Sequence, residues 1–520
     1  METFEWIIGL MLGAAILSAI ARRLSLPYPS LLAVGGAATA LLPATPNWTL
    51  DPQLALVLFV APVLLDAAFD FSLRDLKRNW VSVAGLAIVA VILTTGAVAV
   101  VAHWLVPDMP WPVAIALGAI VAPPDAAAAT AVMQQVRLPR LIRTVLEGES
   151  LINDASALLI YRLAVGATLA GGFSVGSVAP MAVIVIAGSI LAGLVIATVI
   201  RFINGLLSDV PTAIVVQFII TFGIWMLADR LGLSPVLTIV VSAIIIARSP
   251  ARLRVSPHLR IPTNAVWAVV VFMLNAFAFV LIGMQLRPIL GRLGTTGLAS
   301  SLLVALAVLL TATLVRFAWV MAYNFALQIR AVKLRRPDGS GPVRPPLSVG
   351  VIMSWAGMRG IVTLAAALAL PTMLPDGSPF PYRDLVLLCA FVVVFGTLVV
   401  QGLTLRPLIA LSRLEAPDPV IGEVRGARAE ALRAGLAAID GDASLQAKLL
   451  RKEFEEMIAT STDEARSGDL NAMPSNELRR TALAAARKRS NELWLAGTIG
   501  DEAYRTLEVE FDWAELGAGA

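Results

Sequence analysis

The sequence predicts an all-α polytopic membrane protein: about thirteen transmembrane helices with two broken helices crossing inside an inverted repeat, then a helical tail. Three observations predict it. Hydrophobic residues make up 58% of the 520 positions and charged residues only 15%. Mean hydropathy is +0.82, far above that of a soluble domain. Apolar runs recur along the chain, and the basic residues between them gather in alternate loops.

The same composition excludes other classes. A single cysteine, Cys389, rules out a disulfide framework and argues against a cysteine-based metal site. His103 and His258 are far apart and form no ligand pattern. The pI near 9.4 does not indicate nucleic acid, because the basic residues cluster between apolar segments and not on one amphipathic face. No nucleophile–base pair occurs in the spans, so the chain is read as a non-enzyme without a cofactor. The acidic start (Glu2, Glu5) makes the first apolar run a retained span, not a cleaved leader.

In order, the spans are expected at 4–21, 28–43, 52–70, 80–105, 111–135, 141–171, 176–204, 211–229, 233–248, 263–286, 297–328, 348–373 and 382–412. Loops after odd-numbered spans carry clusters such as Arg22 and Arg23, Arg74, Lys77 and Arg78, or Arg330 and Lys333. The others hold only Arg230, Arg287, Arg292 and Arg383. By the positive-inside rule this places the N-terminus outside and the tail in the cytoplasm of a cell-membrane protein. The membrane domain is read as 1–414 and the tail as 415–520. In the tail, Leu445, Leu449, Leu450, Phe454 and Met457 recur at helical spacing, and Gly468 to Ser475 reads as a break.

The polar groups inside the spans carry the functional information. Glu149, Ser150, Asn153 and Asp154 interrupt the sixth span, and an ionisable group at membrane depth marks function by default. Ser150 and Asp154 stand at i and i+4, as do Glu149 and Asn153, so two oxygen-bearing stripes lie side by side. Oxygen ligands suit a hard cation, and a carboxylate can hold either that cation or a proton. Ala122-Pro123-Pro124-Asp125 must break the fifth span, because two prolines remove two donors. Asp125 there is read as electrostatic and structural, capping the new half-helix or neutralising its terminus. Ser354-Trp355-Ala356-Gly357-Met358-Arg359-Gly360 weakens the twelfth span around a buried arginine. Arg359 is expected to pair with Glu149, which leaves Asp154 as the titrating group. Asp66 in the third span is deep enough to face an ion path, whereas Asp70 lies near its end. Arg316 either satisfies carbonyls at a half-helix end or belongs to the site. Asn275 is read as an interhelical hydrogen-bonding group.

Four segments, Phe59 to Asp66, Ala122 to Thr130, Glu147 to Asp154 and Trp355 to Leu364, together resemble the monovalent cation:proton antiporter family, Na⁺/H⁺ exchanger branch (bacterial NhaP-type, NHE-like). Phe272 to Leu286 is similar to it as well. The resemblance covers about residues 1–412 and implies interlocked repeats, a core domain moving against a dimer domain, and a homodimer. It implies that Asp154 binds Na⁺ or H⁺ in competition, that Ser150 and Asp66 ligate the cation, and that Glu149 and Arg359 form a buried pair. The sequence departs from the family at Pro124, where members often carry a threonine whose oxygen contributes to the site.

The resulting expectation is a secondary active Na⁺/H⁺ antiporter that exports cytoplasmic Na⁺ for external H⁺ and serves pH homeostasis. With asparagine at 153, one titrating group remains, and the resemblance then implies electroneutral exchange. Its partners are Na⁺ (with Li⁺ or K⁺ as further candidates), H⁺ and the lipid bilayer. A K⁺/H⁺ antiporter on the same scaffold is the alternative, and a cation channel the rival from another class.

Overall fold

The computed structural model describes residues 2–24, 26–43, 45, 52–70, 73–125, 128, 140–170, 175–204, 209–247, 257–293, 298–333, 346–412, 419–442, 444–462, 474–496, 507, 511 and 513–514. Contacts divide the chain into two units, Met1–Ala416 and Pro417–Ala520.

The first unit contains α1 (Glu2–Leu24), α2 (Tyr28–Ala40), α3 (52–70), α4 (73–105), α5 (Trp111–Val121), α6 (Arg140–Leu169), α7 (Val175–Asn204), α8 (Val210–Arg230), α9 (Pro235–Ala247), α10 (Pro257–Met284), α11 (Leu286–Leu293), α12 (Leu298–Lys333), α13 (Leu347–Trp355), α14 (Ile361–Leu368) and α15 (383–412). Among the described residues the β-type pairing is a single bridge, Met373 to Pro379.

Seven of the expected spans hold helical stretches long and apolar enough to cross a membrane: 4–24, 76–105, 180–203, 210–230, 261–292, 298–331 and 383–412. Three more are shorter apolar helices, at 53–69, 111–121 and 235–247. The others are α2, of 13 residues, the charged α6, and the α13/α14 pair of 9 and 8 residues. Asp125, Glu149, Asp154 and Arg359 thus fall in segments other than the plain apolar spans, whereas Arg316 lies in one of these. The span residues 126–127 and 129–135 and many of the basic loop residues lie outside the described set.

Helix α2 lies along α10, and α9 packs against α3, α7 and α8. Helix α5 packs against α4 and α6, and α12 against α4, α13 and α15. Close approach depends on glycine: a Cβ on Gly36 would meet the carbonyl carbon of Val280 at 2.9 Å, and one on Gly283 the carbonyl carbon of Gly36 at 2.8 Å. Such small-residue crossings replace the hydrophobic drive that lipid does not supply. The outward faces are apolar, as Phe4, Ile8, Leu12 and Ile16 on α1 and Leu306, Leu310 and Leu314 on α12 are exposed at four-residue intervals.

Among the described residues, three helices contain a π-turn: Leu56–Val60 in α3, Gly85–Val89 in α4 and Thr397–Gln401 in α15. A π-turn displaces carbonyls from the regular ladder. Here side chains of other helices reach them: Ser30 Oγ donates to Leu398 O (2.5 Å), Ser156 Oγ to Ala87 O (2.6 Å) and Trp319 Nε1 to Gly85 O (3.0 Å). Arginine answers a related need at helix ends. Arg287 donates to Leu42 O (3.3 Å) just past α2. Arg383 donates to Leu368 O (3.2 Å) and Leu370 O (3.1 Å) at the end of α14. Two of the four arginines in the otherwise arginine-poor loops are therefore occupied as helix caps.

The second unit contains α16 (Pro419–Ala438), α17 (Leu445–Thr462) and α18 (Pro474–Leu495). A turn with Gly441 at φ 97° joins the first two. Arg451 closes it by donating to Ile439 O (2.7 Å) and Asp442 O (2.9 Å). The amide and hydroxyl of Ser444 hold the Asp442 carboxyl below its usual range. The expected apolar stripe splits: Phe454 packs on Gly435, while Leu445 and Leu449 are exposed. Most of the expected break at 468–475 lies outside the described residues.

Candidate functional site

Two interruptions meet in the middle of the first unit. Helix α5 ends at Val121 and gives way to the Ala122–Asp125 link, as its two prolines require. Helix α13 ends at Trp355, and α14 begins only at Ile361. The links cross: the Asp125 amide donates to Met358 O at 2.6 Å. A Cβ on Gly360 would lie 2.7 Å from Cβ of Asp125 and run into its carboxylate, so only glycine allows this approach. Asp125 therefore sits at the start of α14, where a negative charge complements the exposed amides of a helix N-terminus. The start of the half-helix that directly follows Asp125, which the sequence reading had it cap, lies outside the described residues.

Arg316, and not Arg359, is the partner of Glu149. Arg316 on α12 holds Glu149 on α6 through both guanidinium nitrogens, the second at 2.9 Å, and also donates to Met353 O (3.2 Å) in the last turn of α13. Both side chains are almost fully buried. Arg359, the expected partner of Glu149, instead donates to three carbonyls: Val121 O (3.1 Å), Gly357 O (2.5 Å) and Ala312 O (3.3 Å). Its amide donates to Thr397 Oγ1 (3.0 Å). The reason is local. Arg359 lies on an unwound link beside the carbonyl end of α5, where the last carbonyls have no helical donor and the helix dipole is negative. Arg316 comes from an unbroken helix and faces Glu149 directly. Gly357 makes room for it, since a Cβ there would approach Cζ of Arg316 to 2.9 Å.

Helix α6 carries the remaining groups. Asn153 is fully buried, and its amide donates to Pro124 O (2.9 Å), tying α6 to the first link. The carbonyl at the position that lacks a threonine oxygen thus already serves Asn153. Ser150 and Asp154 are buried on the adjacent stripe. Asp125 is within electrostatic reach of Asp154. No group among the described residues donates a hydrogen bond to the Asp154 carboxylate, in contrast to Glu149 one turn away. Asp66 is partly buried on α3, whose Leu65 and Ala68 share a core with Leu151 of α6. Asp70 has no described side chain. Asn275 is half-buried on α10 without a hydrogen bond to another described residue, contrary to its expected interhelical role. Among the described residues no group of three or more histidine, cysteine or acidic side chains could hold a resident metal. Thr397, Ser156 and Trp319 carried no sequence signal, because serine, threonine and tryptophan are ordinary in apolar spans.

Broken half-helices that cross at buried charge, inside helices clad in apolar side chains, define a membrane transporter and not an enzyme. The chain belongs to the sodium/hydrogen exchanger family: the family profile described as "Sodium/hydrogen exchanger, transmembrane" matches residues 10–411. It is 30% identical over 551 residues to the uncharacterized Na⁺/H⁺ exchanger YjcE of Escherichia coli (strain K12), covering 99% of this chain and 98% of that protein. It is 32% identical over 395 residues to the sodium, potassium, lithium and rubidium/H⁺ antiporter of Bacillus pumilus (strain SAFR-032), a match spanning 74% of this chain and 58% of that protein's length. The sodium proton antiporter MjNhaP1 from Methanocaldococcus jannaschii shares the fold, with a TM-score of 0.59 at 19% identity over 80% of this chain and 100% of that one.

Proposed function

We propose that this protein is an electroneutral Na⁺/H⁺ antiporter in which Na⁺ and H⁺ compete for the Asp154 carboxylate. The observation that carries this reading is the contrast on α6. Glu149 is locked in a bidentate pair with Arg316, Asn153 cannot titrate, and Asp154 is buried with its carboxylate unengaged by any described donor. One titrating group then exchanges one proton for one Na⁺. Ser150 Oγ and Asp66 supply further oxygens, and the paired charges of the crossing hold the half-helices in place while the ion comes and goes. Access from one side at a time fits two interrupted helices that cross at the site. The clustering of basic residues in alternate loops supports a cell-membrane protein with its tail in the cytoplasm, exporting Na⁺ for entering H⁺ and so serving pH homeostasis. We read the functional unit as a homodimer.

Pro124 gives the site one side-chain oxygen fewer than a threonine would, and the Bacillus pumilus relative is named for four alkali cations. Na⁺ should therefore be accompanied by Li⁺ and K⁺ in the assay. Purified protein in liposomes with a fluorescent pH-gradient reporter should show dequenching on Na⁺ addition, and Asp154→Asn should abolish it while leaving a folded protein. Robust Na⁺/H⁺ exchange by Asp154→Asn would remove this residue from the mechanism.

A further inference from the structure

We infer that Ser156 and Trp319 are positioning residues for the ion site, acting through the π-turn Gly85–Val89 of α4; the inference rests on the antiport reading above. Two carbonyls of the π-turn are reached from different helices, and one of them, Gly85 O, also accepts the Ala90 amide of its own helix. Ala87 O receives the Ser156 hydroxyl from α6 at 2.6 Å, and Gly85 O receives the Trp319 indole from α12 at 3.0 Å. Ser156 has a local alternative in Asn153 O at 2.9 Å, yet the contact across to α4 is the shorter. One turn further along α12, Tyr323 meets Ser82 of α4 at 2.9 Å.

These attachments fall where the charged centre is built. Ser156 stands seven residues beyond Glu149, on the same face of α6 and about 10 Å along it. It is also two residues beyond Asp154. Trp319 stands three residues beyond Arg316, on the neighbouring turn of α12. The helices that contribute Glu149 and Arg316 are thus both fastened to one short stretch of α4. The next turns of α4, at Val91 and Thr94, line the crevice into which Glu149 and Arg316 face. Val83 and Leu86 form a small core with Val145 of α6 and Val320 of α12, so the wedge is apolar around its hydrogen bonds. Rotation or sliding of α6 against α12 would open the bidentate pair and turn the Asp154 stripe. The two carbonyl bonds resist that movement without touching an ion.

The test uses Ser156→Ala, Ser156→Thr and Trp319→Phe in the full chain. Ser156→Ala and Trp319→Phe should each raise the apparent KM for Na⁺ about tenfold, the scale on which a support behind an ion ligand acts. The pH profile should shift while the maximal rate changes little, and Ser156→Thr, which keeps the donor, should restore both. Independently of transport, a thermal-melt cycle of Glu149→Gln, Arg316→Met and the double variant should show weaker coupling in the Ser156→Ala background than in the parent. Lower melting temperatures with an unchanged Na⁺ KM, pH profile and coupling would overturn the inference and leave the contacts structural only. If the parent protein showed no exchange, the antiport reading would fail, and the melt cycle would still decide the positioning claim.

Discussion

Asp154 and Glu149 show how the same chemical group takes opposite parts within two turns of one helix. Glu149 is neutralised by a fork of two donors from Arg316, the strongest geometry available to a carboxylate. Breaking a buried pair by removing one partner typically costs about 3–5 kcal/mol, because the other charge is stranded. Glu149→Ala and Arg316→Ala should each lower yield and melting temperature, and the double variant should lose less than the two added together. The same cycle with Arg359 should show weaker coupling, since its guanidinium is committed to the carbonyls of Val121, Gly357 and Ala312. A larger coupling for Arg359 than for Arg316, measured by thermal denaturation in detergent, would contradict the pairing described here. Arg359→Lys should not rescue, because an ammonium group cannot span three carbonyls on different segments.

Helices in this protein are shaped by what interrupts them. The prolines of the first link and the glycines of the second expose backbone groups at depth, and each of the three described ends meets a charge from another segment. Arg359 serves the carbonyl end of α5, Arg316 that of α13, and Asp125 the start of α14. Gly360→Ala should therefore damage transport, because its methyl group would displace the Asp125 carboxylate from the α14 terminus. The expected result is loss of Na⁺-driven dequenching by a protein that still elutes as the parent does on size exclusion. Elsewhere the elements meet backbone to backbone. Gly283→Leu should force α2 and α10 apart and cost on the order of 1–3 kcal/mol as overpacking, read as reduced folded yield.

At the scale of the whole molecule, the proposed single titrating carboxylate per transport site makes two measurable statements. Protons and Na⁺ compete, so the apparent KM for Na⁺ should rise as pH falls, with the maximal rate at saturating Na⁺ less affected. With one proton leaving for each Na⁺ that binds, as proposed, exchange should create no membrane potential and should ignore an imposed one. Liposomes clamped with K⁺ and valinomycin test this directly. A Na⁺/H⁺ reversal point that moved with voltage would show a second transported charge and would release Glu149 from its assignment as a locked partner.

Much of this was legible in the sequence. Composition and the spacing of apolar runs specify a polytopic helical membrane protein, because lipid leaves the backbone few other ways to satisfy its hydrogen bonds. Pro123-Pro124 and Gly357-Met358-Arg359-Gly360 announce the two breaks, because proline and glycine act on their own backbone whatever surrounds them. Asp154, Ser150 and Glu149 stand out as polar groups at depth for the same local reason. Partnership was not legible. That Glu149 meets Arg316, that Arg359 closes the end of α5, and that a π-turn in α4 receives Ser156 and Trp319 depend on how helices far apart in the chain are rotated and stacked. A sequence states which side chains carry charge and where a helix must stop. Only the packed tertiary structure decides which exposed carbonyl lies nearer to an arginine than the carboxylate it was expected to find.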